Sequence, residues 1–124
     1  LKRLRIYVAG PYSPQSENRH KCVREAAQNT DKAIEAGIRV LEKGHIPFIP
    51  HLSHFVHTHH KCNNEFAWYT IDNSFLEHWA TAILYMAPSK GADAELKLAR
   101  KLELEIFFSV NEIPELKNND LIQE

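Results

Sequence analysis

Two segments about eighty residues apart carry the side chains best suited to chemistry. The first, Arg5-Ile6-Tyr7-Val8-Ala9-Gly10-Pro11-Tyr12-Ser13, reads as a strand running into a tight polar turn. The second, Ser89-Lys90-Gly91-Ala92-Asp93-Ala94-Glu95-Leu96, reads as a glycine loop opening a helix behind another strand. Each sets small and polar residues at the carboxyl end of a strand, the edge at which open parallel sheets bind ligands. Glu95 is followed at +3, +4 and +7 by Leu98, Ala99 and Leu102, so its carboxylate falls on the core-facing stripe of its helix. Desolvating a carboxylate there is costly unless it is paired or reserved for catalysis. Asp72 is similar: Trp68 precedes it by four residues, and Phe75 and Leu76 follow at three and four. Two such carboxylates meeting in one pocket can be held in different protonation states. A helix N-terminus favours negative charge, which makes Glu95 the one expected to be ionised.

Each feature also has a plainer explanation. Asp72 serves equally well as a boundary residue paired with a lysine or a backbone donor. Gly10, Pro11, Tyr12 and Ser13 can simply end a strand, or can form a backbone-and-hydroxyl cradle for a sugar or phosphate. Ser89, Lys90 and Gly91 have the shape of an anion-receiving helix start. Neither segment is a Walker loop and no G-x-G-x-x-G occurs, so NTP hydrolysis and dinucleotide redox chemistry are poorly supported. His51, His54, His57, His59 and His60 crowd one ten-residue span ahead of Cys62. Their spacing fits no zinc pattern, so a polar ligand-facing loop is expected, with no metal and no cofactor. The deaminase signature is missing too. Cys22 and Cys62 are too few for a disulfide framework.

The elements that must position these groups follow from periodicity. A buried strand is expected over 4–9, ended by Gly-Pro. A long helix follows from about Asn18 to Lys43, with Val23, Ala27, Thr30, Ile34, Gly37 or Ile38, and Leu41 on its core stripe and Gly44 as its stop. Its opening turns are candidates for a separate turn or mobile loop. Further strands are expected over 46–49, 82–86 and 105–108, and helices over 65–79 and 93–102, with a polar connection over 51–64. A polar tail is expected over 110–124, containing a short helix. Strands alternating with helices imply right-handed crossovers and a parallel sheet. The fold class is therefore α/β: a flavodoxin-like, Rossmann-like open parallel sheet of four to five strands, order 2-1-3-4, with helices on both faces.

The 124 residues make one domain, 1–124. A net charge of −1 gives no electrostatic case for a nucleic-acid polymer or an anionic membrane. No apolar run approaches a membrane span. No charged-then-apolar leader precedes Ile6, so cytoplasmic is the default expectation. Trp68, Trp79 and the aromatics near Phe55 and Phe66 exceed what one thin sheet covers, which suggests a homodimer or higher homo-oligomer.

Taken together, residues 6–13, residues 44–52, Asp72 and residues 89–96 resemble the nucleoside 2-deoxyribosyltransferase superfamily, nearest its small bacterial and archaeal branch. The resemblance covers about residues 4–110 and extends to deoxynucleoside 5′-monophosphate N-glycosidases. It implies cleavage or transfer at an N-glycosidic bond of a small-molecule nucleoside or nucleotide. On that resemblance Glu95 is the nucleophile, Tyr12 orients it, and Asp72 assists the base or the sugar. Ser89, six residues before Glu95, matches the serine that contacts a 5′-phosphate. The resemblance also implies a metal-free oligomer whose site a neighbour completes, with Asn111 as a candidate contributor. The stretch 14–24 is longer than the family pattern. The chemistry itself is consistent: an oxocarbenium-like state needs one carboxylate at the anomeric carbon, and the leaving base needs a proton. A non-catalytic nucleotide-sensing module on the same fold is the alternative.

Overall fold

The computed structural model describes residues 2–13, 18–60 and 65–116, with the side chains of residues 19, 65 and 66 left aside. The chain runs β1 (Arg5–Ala9), α1 (Arg19–Glu42), β2 (Ile46–Phe48), a 3-10 turn (Pro50–Leu52), α2 (Ser53–His60) and α3 (Glu65–His78). It continues through β3 (Ala82–Tyr85), α4 (Lys90–Lys101), β4 (Glu105–Phe107) and a second 3-10 turn (Val110–Glu112). The four strands form one parallel sheet in the order β2-β1-β3-β4, as the alternation of elements requires. β1 is interior and almost wholly buried, whereas β2 lies at an edge, where Pro47 is tolerated because the edge lacks a second partner.

Alternation along the strands separates two cores. Ile6, Val8, Ala82, Leu84 and Phe107 pack with Ala33, Ala36 and Val40 of α1. Tyr7, Ala9 and Ile83 pack on the other side with Leu76 of α3 and Ala99 of α4. The crossover through α1 therefore covers one face, and those through α3 and α4 cover the other, as right-handed connections dictate.

α1 is one continuous helix of 24 residues, so its opening turns are not separate. Asn18 caps it by accepting from the amides of His20 and Lys21, and Gly44 ends it at φ 93°, a conformation that favours glycine. The expected core stripe is corrected. Thr30 and Gly37 are buried, but their companions are Ala26, Ala33, Ala36 and Val40, while Val23, Ile38 and Leu41 are exposed. The cause is distance. A Cβ on Gly37 would lie 2.3 Å from Ile49 Cδ1, so α1 sits too close to the β2 region for anything but small residues. Thr30 resolves its buried hydroxyl by donating to the Ala26 carbonyl at 2.8 Å.

Two further expectations change. The histidine-rich stretch is not a loop: it holds a 3-10 turn and the helix α2 as far as His60, while residues 61–64 lie outside the described part. The segment after Val110 is not polar throughout. Val110, Ile113 and Leu116 are buried, and the Leu116 amide donates to the Lys43 carbonyl at 2.9 Å. Residues 117–124 lie outside the described part, as does the side chain of Phe66 among the aromatics expected at an interface. Among the described residues no helix is long and apolar enough to cross a membrane.

Candidate active site

α4 begins at Lys90, three residues earlier than periodicity suggested. Ser89 is its N-cap, accepting from the Ala92 amide at 3.0 Å. Glu95 is thus the sixth residue of the helix, beyond the four amides that a helix start leaves unpaired. Its side chain turns toward the sheet and accepts a very short hydrogen bond from the Tyr7 hydroxyl to Oε2. Tyr7 stands mid-strand in β1 and is fully buried. Burial and the adjacent Glu95 and Asp72 carboxylates raise its pKa far above the usual phenol range, so it remains a donor throughout the working pH range.

Opposing influences act on the protonation of Glu95. Burial pushes its carboxyl up to about 7; the Tyr7 bond pulls in the opposite direction, and the charge of Asp72 raises it further. Asp72, on α3, is pushed up to about 6, also by burial. Desolvation outweighs the helix dipole because Glu95 lies past the first turn, where the dipole acts. The two half-buried carboxyls therefore titrate as a pair, both raised above the ordinary carboxylate range.

The resemblance assigned Tyr12 to orient Glu95, and here too the geometry differs. The hydroxyl that reaches Glu95 belongs to Tyr7. The Tyr12 hydroxyl instead pairs with His54 Nδ1 at 3.0 Å, and the Tyr12 ring meets the His51 and His54 rings edge-on. Burial raises the Tyr12 pKa as well. Tyr12 is anchored at its own carbonyl by Asn29 Nδ2 at 3.2 Å. His51 is 5% exposed, and its Nε2 donates to the Pro11 carbonyl at 3.0 Å. Desolvation lowers the pKa of His51, which keeps it neutral. His51 therefore fastens the loop after β1, and its Nδ1 is buried without a partner.

Gly10 follows β1 and is buried; a Cβ there would stand 3.1 Å from Met86 Sδ, so any side chain would require the Met86 side chain to shift. Pro11 is half-buried and Ser13 exposed. Gly91 has open space around it, which leaves the first turn of α4 accessible. Because β1 and β3 are parallel neighbours, the Gly10–Ser13 turn and the Ser89–Gly91 helix start share one edge of the sheet. The structure thus makes two clusters: Tyr7, Asp72 and Glu95 under α3 and α4, and Tyr12, His51 and His54 over the end of β1. Among the described residues no group of three or more His, Cys, Asp or Glu side chains is placed to hold a metal ion.

Tyr7 is the member of the carboxylate cluster that periodicity passed over, because a strand of Ile-Tyr-Val-Ala reads simply as core. Its signal was available: a tyrosine in a fully buried strand needs an acceptor for its hydroxyl. An open four-stranded parallel sheet in the order 2-1-3-4, with helices on both faces, defines an α/β protein of the doubly wound kind. No protein-family model matches the chain, and no curated protein matches it.

Proposed function

We propose that this protein breaks or transfers the N-glycosidic bond of a nucleoside or nucleoside 5′-monophosphate, with Glu95 as nucleophile. The observation that carries the reading is the half-buried Glu95 carboxyl held by the hydroxyl of the buried Tyr7 beside Asp72. In the first step a Glu95 oxygen bonds to the anomeric carbon as the carbon–nitrogen bond breaks, giving a glycosyl ester and a departing base. The base takes a proton from water or from the protonated fraction of Asp72. In the second step water, or another base, displaces Glu95 and regenerates the carboxylate. The Tyr7 donor stabilises the carboxylate form that both steps need.

Ser89 favours a monophosphate and hydrolysis over transfer. Its oxygen caps Ala92, which leaves the hydroxyl hydrogen to donate at the helix start beside the open Gly91. The proposal includes a cytoplasmic homodimer or larger homo-oligomer, for which the half-exposed Phe55 and Phe75 supply apolar surface. Incubation with a panel of nucleosides and 5′-monophosphates, followed by chromatography for free base, tests it; an added acceptor base separates transfer from hydrolysis. Base release that requires Glu95 supports the reading. Binding without base release would instead make the protein a nucleotide-sensing module.

A further inference from the structure

On the α1 side of the sheet a cavity of about 340 Å³ opens between α1 and the ends of β3 and β4. Its apolar wall is Ala36, Leu84, Met86 and Val110, with the half-exposed Phe108 ring beside them. Its polar wall is supplied mainly by α1. Lys32 and Arg39 are seven residues apart, about two turns or 10 Å along one helix face, with Glu35 between them. Arg39 Nη2 donates to Asn111 Oδ1 at 3.2 Å, which holds the guanidinium at the cavity edge. Two cations and one anion leave a single surplus positive charge.

We infer that this cavity binds a small organic monoanion, an aromatic or branched aliphatic body carrying one carboxylate. One apolar wall facing a few polar groups suits a small amphipathic body seated in an open cavity, and the volume lies at the lower end for small-molecule sites. The wall of Leu84, Met86 and Val110 offers nothing to the hydroxyls of a sugar. The single surplus charge matches one carboxylate, for which the planar Arg39 guanidinium is suited. The cavity is also a second site. Leu84 and Met86 pack in the α1 core, whereas Tyr7, which holds Glu95, lies in the opposite one. Its lining shares no residue with the Tyr7, Asp72 and Glu95 cluster, and only Met86 also borders Gly10 of the loop after β1.

The chain contains one methionine, Met86, so methyl-labelled methionine gives a single resonance from the cavity wall. The full chain is titrated at low salt with phenylacetate and with its neutral counterpart phenylacetamide. The expected result is a saturable Met86 shift with phenylacetate and affinity weaker by about threefold or more for the amide. The Lys32→Gln/Arg39→Gln double variant, at two exposed positions, should bring phenylacetate down to the level of the amide, and Glu35→Gln should tighten it. An unchanged spectrum for the unliganded double variant verifies its fold. Three results would overturn the inference: no saturable shift through about 10 mM, equal affinity for acid and amide, or phenylacetate affinity unmoved in the folded double variant.

Discussion

On the side of the sheet covered by α3 and α4, β1 contributes Tyr7 and Ala9, and each helix sets a half-buried carboxyl near Tyr7. On the side covered by α1, the same strand contributes Ile6 and Val8 to a core of alanines and valine. One strand five residues long thus feeds two environments through its alternation alone. The α1 face contributes stability by apolar burial and leaves its charges, Lys32 and Arg39, at the solvent edge. The α3/α4 face accepts the desolvation of Glu95 and Asp72, which costs stability and sets their protonation near neutral pH. The contrast separates residues that hold the fold together from those that strain it, and each half can be tested by substitution.

The largest effect is expected from Glu95→Gln, which retains the shape and the acceptor for Tyr7 but removes the charge. Base release should fall by about a thousandfold or more, read as turnover in the chromatographic assay. Stability should move the other way. A carboxyl raised from 4.5 to about 7 on folding lets the folded state keep its proton longer than the unfolded state does. Stability from this group is complete below about pH 4.5 and declines as pH rises through about 7. The variant should therefore flatten the melting-temperature profile over that window and gain up to about 3 kcal/mol at pH 8. If turnover persists, Glu95 is a structural carboxyl and the α3/α4 face loses its catalytic role.

Tyr7→Phe should come next. It deletes the hydroxyl that donates to Glu95 and leaves a half-buried carboxylate short of a bond worth about 1.5–3 kcal/mol. Since the Tyr7 bond lowers the Glu95 pKa, its loss should move the acid limb of the pH–rate profile to higher pH. The rate near pH 7 should fall by about tenfold to a hundredfold. A profile that stays in place while the rate falls would mean that Tyr7 acts by packing alone.

Val40→Ala probes the other face. Val40 is fully buried in the α1 core, and its truncation should cost about 2 kcal/mol in denaturant unfolding. The midpoint of the pH–rate profile should not move, because Val40 packs in the α1 core while Tyr7 and the helices that carry Asp72 and Glu95 lie on the other side of the sheet. A shifted midpoint would show that the faces are coupled through the strands.

The same contrast explains what could be read from the residues. Element order and sheet order were legible because they rest on the alternation of strand-forming and helix-forming segments, and on Gly44 and the Gly10-Pro11 stop. The buried face of α1 was not. Val23, Ile34 and Leu41 repeat at helical spacing as convincingly as Ala26, Ala33 and Val40, and only the closeness of Gly37 to Ile49 decides which face turns inward. At the site, the two carboxylates stood out because polar residues on apolar stripes are conspicuous. Tyr7 did not, since one strand supplies both cores and periodicity cannot tell which tyrosine finds an acceptor. Nor could spacing place Glu95 in the second turn of α4, because the start of that helix depends on Ser89 capping Ala92.

The smallest effect is expected at Ser89, where capping and ligand binding can be separated. Ser89→Ala removes the oxygen that accepts from the Ala92 amide and should cost about 1 kcal/mol of stability. Ser89→Gly keeps the extended backbone accessible, and glycine costs only a few tenths at a cap. A cap acts on the helix alone, so under that role Ser89→Gly should leave the KM of every substrate near its original value. A phosphate contact predicts otherwise: both variants should raise KM for a nucleoside 5′-monophosphate while leaving that for the matching nucleoside unchanged. The comparison is made within one protein preparation, with the two substrates differing only in the phosphate. If the monophosphate KM follows stability across the two variants, Ser89 is a cap for α4 and the preference for a nucleotide falls. If it rises equally in both, the hydroxyl acts on the ligand as well as on the helix.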